Sequence, residues 1–269
     1  MLYCHYLNKA ALLGAALFLA ACLPLRDEAS VALVESEQHG FMPVPLTTDV
    51  PGLRAVLQPG HGVLSVYIEG DGAPWSTRHH PPADPTPWRS TVFSMARQDV
   101  GAVAYLARPC QYLTPEQLTR CPVAWWTDQR FAAHLVDSLN QAVDSLKRRA
   151  GVERIRLIGY SGGGVMATLI AARRGDVVSL VTVAAPLDLA AWTRHHDISP
   201  VVGAETLAAL RPDQLPPAWH FAGEQDAVVP PAIVAGFARR TGGKFETVAG
   251  NDHVCCWAEQ WPALLEKTR

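Results

Sequence analysis

The chain lacks an excess of charge of either sign. Lys and Arg number 23 against 25 Asp and Glu, a formal net charge of −2 over 269 residues. No basic stripe interrupts that balance, so the electrostatic footprint of a nucleic-acid partner is missing. A long apolar run is also missing. The stretch Ala10 to Ala21 is about twelve residues, short of the ~20 that a membrane-spanning helix needs. There is no CxxC pair and no clustered Cys/His spacing, so zinc finds no ligand set and neither a metal nor a cofactor is expected. No internal repeat and no domain-dividing linker occurs, which leaves one large core as the expectation.

At the start, Lys9 precedes the Ala- and Leu-rich run Ala10 to Ala21, which reads as the apolar part of a secretory signal. It ends in Leu19-Ala20-Ala21-Cys22, which resembles the bacterial lipobox. That resemblance implies a signal peptide over 1–21, a lipidated Cys22, a tether over 22–40 and a folded domain over 41–269. It further implies a bacterial envelope protein anchored in a membrane through Cys22. Leu23 resembles residues that permit transport to the outer membrane, facing the periplasm. A plain secreted protein cut near the same place remains the alternative. Loss of Lys9 takes the charge from −2 to −3.

Six cysteines occur. Cys4 leaves with the signal. In an oxidising compartment the default reading of the others is a disulfide. Cys110 and Cys121 flank one loop and are the first candidates for a bridge. Cys255 and Cys256 are open between a vicinal disulfide and two free thiols. The 21 prolines and 20 glycines fit a loop-rich enzyme better than a helical bundle.

Hydrophobic periodicity organises the rest. Apolar runs predict strands at 52–58, 63–68, 100–106, 154–158, 177–184, 218–222 and 244–248. Between them lie helical patterns at 91–98, 165–173, 230–240 and 257–266, and one opened by Asp128 as N-cap and running to about Arg149. The Pro-broken segment 41–50 has room for an edge strand. Strands alternating with amphipathic helices predict an α/β fold, a mostly parallel sheet covered on both faces. Residues 73–89 form a long polar loop, the length at which loops are usually functional.

The chemistry concentrates at Gly159-Tyr160-Ser161-Gly162-Gly163, which fits G-x-S-x-G between a strand and a helix. The spacing matters physically. The serine must sit on a strained turn, and the glycines leave room where strand and helix nearly touch. Gly162 can aim its N–H at a developing oxyanion from the next helix's N-terminus. A serine hydroxyl also needs a base, and the base needs an orienting acid. Asp226 follows a late strand, and His253 follows the last strand and precedes the last helix. Asp188 is the main competitor for the acid and Glu224 a lesser one. His195, His196 and His220 are the other histidines after Ser161. On its own, Ser161 could simply cap a helix, Asp226 hold a loop turn and His253 lie on the surface.

Taken together, the elbow, the G-x-x-D-x-x-V-P segment around Asp226 and the Asp-His before the terminal helix resemble the α/β-hydrolase serine hydrolases over about 41–269. The resemblance implies Ser161 as nucleophile, His253 as base, Asp226 as acid, and no large lid. It implies an oxyanion hole from the Gly162 N–H and a second N–H after the early strand, at Asp71 or Gly72. Here Glu69 stands where a His often precedes the glycine. A Glu69-Gly70-Asp71-Gly72 turn brings two carboxylates to the oxyanion side, which is workable only if they turn away or pair with Arg. The expected substrate is a small-molecule ester or related acyl compound, cleaved through an acyl-enzyme. A peptidase or acyltransferase with the same residues, and a non-catalytic lipoprotein that binds a partner, are the alternatives. Trp75, Trp125, Trp126 and Trp192, with His79, His80, Arg194, His195 and His196, are candidates for the pocket wall or for its solvated rim.

Overall fold

A computed structural model describes residues 35–73 and 80–269. The expected signal segment, Cys22, Trp75 and His79 lie outside the described residues. The centre is an eight-stranded sheet: β1 (Met42–Pro43), β2 (Ala55–Gln58), β3 (Val63–Ile68), β4 (Val103–Leu106), β5 (Arg154–Tyr160), β6 (Val177–Val183), β7 (Ala218–Gly223) and β8 (Lys244–Val248). Its order is β1-β2-β4-β3-β5-β6-β7-β8. The first two strands pair antiparallel, and β4 through β8 run parallel.

The described helices are α1 (Thr91–Ala96), α2 (Pro115–Leu118), α3 (Ala133–Ala150), α4 (Gly162–Ala171), α5 (Leu189–His196), α6 (Ala204–Ala208), α7 (Pro231–Thr241) and α8 (Trp257–Glu266). Side chains alternate across a strand, so β3 feeds two cores. Leu64, Val66 and Ile68 pack with residues of α3, α4 and α7 such as Leu139, Val165 and Phe237. Tyr67 joins the opposite core with Phe93 of α1 and Trp257 and Trp261 of α8. Burial on both faces explains why these strands read as continuous apolar runs.

The bounds of β3, β8 and α8 agree with the periodicity; other ends shift. The 41–50 segment pairs only at Met42–Pro43. Within the stretch expected as a tether, Glu35–His39 forms a 3-10 turn with Ser36 buried and His39 edge-on to Phe93. Asp128 does not cap α3. The N-cap is Ala132, while Asp128 accepts from Thr127 Oγ1 and its carbonyl accepts from the Val202 N–H. Tertiary hydrogen bonding thus outcompetes a local capping rule. Between β6 and β7 stand only α5, α6 and a 3-10 turn at Pro212–Gln214, so no large lid is built there.

Cys110 and Cys121 are bridged, with Cα atoms 6.0 Å apart. Closing a loop this short stabilises by about 3 kcal/mol in the chain-entropy account. The bridged loop also carries α2 and a 3-10 turn at Val123–Trp126 that the periodicity did not reveal. Cys255 and Cys256 form a vicinal disulfide, which settles that pair's open reading.

His220 in β7 is fully buried, its Nδ1 2.8 Å from Thr182 Oγ1 and its Nε2 unpartnered. Burial lowers its pKa from 6.5 to about 4. Between those values the unfolded chain takes up a proton that the native state refuses, so stability falls as pH drops from 6.5 to 4. The loss from this group is about 3 kcal/mol. Denaturant titrations across that range should show it, with a shallower slope in His220→Gln. An identical slope in the variant contradicts the assignment.

Candidate active site

Strand order reverses between β3 and β5: the chain leaves β3 toward β4, then works outward through β5 to β8. Such a switch opens a crevice at the carboxyl ends of the strands, where ligands bind in open α/β sheets. The β5–α4 turn and the turn after β3 both face it. Backbone is packed so closely within the β5–α4 turn and between the two turns that side chains are excluded at Gly159 and Gly163. A Cβ on Gly159 would lie 2.3 Å from the Gly163 carbonyl oxygen, and one on Gly163 2.3 Å from that of Ile68.

Ser161 occupies this turn at φ 50° and ψ −128°, a conformation that an L residue adopts only under constraint. Its N–H donates to the Val183 carbonyl at 2.8 Å, tying the turn to β6. The side chain makes no helix cap, which removes the structural reading of Ser161. Instead Oγ lies 3.1 Å from Nε2 of His253. His253 Nδ1 lies 2.9 Å from Oδ2 of Asp226.

Each partner is held in turn. The other oxygen of Asp226 accepts the N–H groups of Val228 and Val229 at 2.9 and 2.7 Å, and its carboxylate is fully buried. The His253 carbonyl accepts from the Tyr160 hydroxyl and from Trp257 Nε1. The Tyr160 ring packs 5.6 Å from the imidazole. Asp252 accepts the N–H groups of Val254 and Cys255, and those bonds hold its carboxyl below the usual range.

The competitors are placed elsewhere. Asp188 caps α5 by accepting the Ala191 N–H. Glu224 accepts the Gly250 N–H. His220 is buried in β7 as described above. His195 and His196 brace the acid's loop through the Ala227 and Val228 carbonyls, joined by Trp192 Nε1 on Val228. They act on the site from behind.

On the oxyanion side, Gly162 is the first residue of α4, so its N–H has no intrahelical partner. Among the described residues, neither it nor the Asp71 N–H donates to another group. Gly70 lies against Ser161, since a Cβ there would be 3.4 Å from the serine Cβ. The two carboxylates are both accounted for. Glu69 turns inward, accepting from the Gly70 N–H, Ser90 Oγ and Tyr105 OH. Burial raises its carboxyl, and those three bonds oppose the rise. Asp71 pairs with Arg108 at 3.0 Å and Arg130 at 3.2 Å. Gln111 donates to the Gly70 carbonyl at 3.1 Å.

A cavity of about 10 Å3, room for roughly one water, opens beside this turn. Asp71, Arg108, Gln111, Trp125, Trp126 and Arg130 are among its walls. Sequence reasoning missed Arg108, Gln111 and Arg130. No local motif marks them, and they meet the turn only through the fold. Among the described residues, no group of three or more His, Cys, Asp or Glu side chains could hold a metal ion.

The strand order, the elbow after β5 and the flanking helices define the α/β-hydrolase fold. Comparison with solved structures agrees. An alpha-beta serine hydrolase homologue from Coxiella burnetii superposes with TM-score 0.56 at 16% identity, over 85% of this chain and 94% of that one. Est1E from Butyrivibrio proteoclasticus gives 0.57 at 17% identity, over 85% and 98%. The acylaminoacyl peptidase of Pyrococcus horikoshii gives 0.58 at 11% identity, over 87% of this chain and 42% of that one. No family model matches the sequence, nor does any curated protein.

The geometry distinguishes two carboxylates. Asp226→Asn should slow reaction of Ser161 with an activated ester by about 10⁴-fold, the scale for losing the acid that orients a histidine. Asp188→Asn should leave the rate near wild type, since Asn also caps helices. Initial rates of ester cleavage decide it, and the reverse pattern would move the acid to Asp188.

Proposed function

We propose that the protein is a serine hydrolase that cleaves a carboxylic ester or related acyl bond through Ser161, His253 and Asp226. The observation that carries this reading is the relay itself: 3.1 Å from Ser161 Oγ to His253 Nε2 and 2.9 Å from His253 Nδ1 to Asp226 Oδ2. It stands on a serine held at φ 50° in the crevice.

In this mechanism Ser161 Oγ attacks the acyl carbon as its proton passes to His253 Nε2. Asp226 keeps Nδ1 protonated and stabilises the imidazolium that forms. The carbonyl oxygen becomes an oxyanion, met by the N–H groups of Gly162 and Asp71 and by the N-terminal end of α4. Collapse breaks the bond to the leaving group, which takes the proton from His253. Water then gives a proton to His253 and attacks the acyl-serine. Breakdown returns that proton to Ser161 Oγ and releases the acid.

Esters are favoured over peptides because an alkoxide leaves more readily than an amide nitrogen, so the relay alone suffices. The crevice has no large lid from the β6–β7 connector. Access for a small ester is therefore direct, over a rim that includes the described parts of 80–90 and 108–126. Trp126 Nε1 joins those two loops by donating to the Pro82 carbonyl at 3.0 Å.

A fluorophosphonate probe tests the assignment. The purified protein should be labelled covalently, and Ser161→Ala should abolish the label. A folded wild type that stays unlabelled would sink the proposal.

A further inference from the structure

Asp71 presents a problem if its N–H serves the oxyanion hole, because its carboxylate lies in the same place. A Cβ on Gly162 would stand 1.9 Å from Asp71 Oδ1. A negative charge beside the Gly162 N–H opposes the oxyanion that this N–H is meant to receive. The side chain of Asp71 is one-third exposed, so it borders the crevice.

Two arginines answer that charge. Arg108 Nη1 lies 3.0 Å from Oδ1 and Arg130 Nε 3.2 Å from Oδ2, one on each carboxylate oxygen. Both guanidinium groups are more than nine-tenths buried. They are locked from behind as well. Arg108 Nη2 donates to the Arg130 carbonyl at 2.7 Å, and Arg130 Nη1 to the Thr127 carbonyl at 3.1 Å. Each lies 5.4 Å from the Phe131 ring centroid, and Arg130 also covers Trp192 at 5.3 Å.

This arrangement is costly for the fold. Burying ions carries a desolvation penalty that their pairing often fails to recover. Two N–H groups, the Nε of each arginine, also lack a well-formed hydrogen bond. A cluster retained for stability alone would not be built this way. Its position against Gly162 supplies the other reason.

We infer that Arg108 and Arg130 are positioning residues of the oxyanion hole. They clamp the Asp71 carboxylate, which fixes the Asp71 N–H toward the substrate oxygen. They also cancel the carboxylate's field where negative charge develops in the transition state. The role rests on the proposed Ser161 chemistry. It touches kcat rather than substrate affinity, because the field matters only once the oxyanion forms.

A mutant cycle on a 4-nitrophenyl ester tests it, with fluorophosphonate labelling run in parallel. Arg130→Gln leaves the Asp71 carboxylate with Arg108 as its one arginine partner and should lower kcat by at least about tenfold, with KM within about twofold of wild type. The double variant Asp71→Asn with Arg130→Gln no longer holds that charge and should recover about fivefold or more over Arg130→Gln alone. Thermal unfolding checks that each variant folds. If Arg130→Gln does not, Arg130→Lys, which keeps the charge but loses the planar fork, should show a smaller loss with the same recovery. A double variant no faster than the single one, or a loss confined to KM, overturns the inference. In either case a wild type labelled at Ser161 leaves the hydrolase reading standing. An unlabelled wild type removes both.

Discussion

The structure depends on a contact between two stretches of backbone. Gly163 at the head of α4 lies against the carbonyls of Ile68 and Glu69 at the end of β3, at a separation that only a residue without Cβ permits. That approach sets the Ser161 turn and the Gly70–Gly72 turn at a fixed distance. Everything with chemical consequence is then arranged around it. Ser161 is held in its constrained conformation, Gly70 lies against it, and Gly162 lies against the Asp71 carboxylate. A side chain at 163 would push the two turns apart, and one at 159 would collide with the Gly163 carbonyl inside the Ser161 turn itself.

The two sides of the site are supported by different means. The relay side is carried by the late strands, with short loops after β7 and β8 delivering Asp226 and His253. Their orientation comes from backbone N–H groups on Asp226 and from Tyr160 and Trp257 on the His253 carbonyl. The Asp71 side is carried by ion pairs and by the bridged loop. Arg108 and Gln111 flank Cys110, whose disulfide to Cys121 spans an eleven-residue separation. Cys110 and Tyr112 both have positive φ, at 72° and 60°, so this short run is itself held under constraint. The disulfide therefore serves geometry as well as stability, since it anchors the loop from which Asp71 and Gly70 are gripped.

Much of this was readable from local pattern. The alternation of strands and helices follows from burial on both sheet faces, and Lys244–Val248 and Trp257–Glu266 agree to the residue. The order of Ser161, Asp226 and His253 was legible because each sits at a strand end next to recognisable turn chemistry. What stayed hidden depends on contacts between distant segments. Arg108 meets Asp71 across 37 positions, and nothing in either neighbourhood announces the pair. Glu69 looked like a threat to the oxyanion until Ser90 and Tyr105, 21 and 36 positions away, turned it inward. Asp128 obeyed the capping rule in sequence, yet its carbonyl took the Val202 N–H and α3 began later. Local rules place elements and motifs; the electrostatics of a site is a property of the assembled fold.

The proposed chemistry requires that Ser161 carry a covalent acyl group during turnover, with His253 as its base. The most direct test is to mix the protein with an activated ester, quench in acid during turnover and map peptides by mass spectrometry. An acyl adduct is expected on the peptide containing Ser161 and is absent in Ser161→Ala. Ester turnover with no adduct, or with the adduct on another residue, would contradict it.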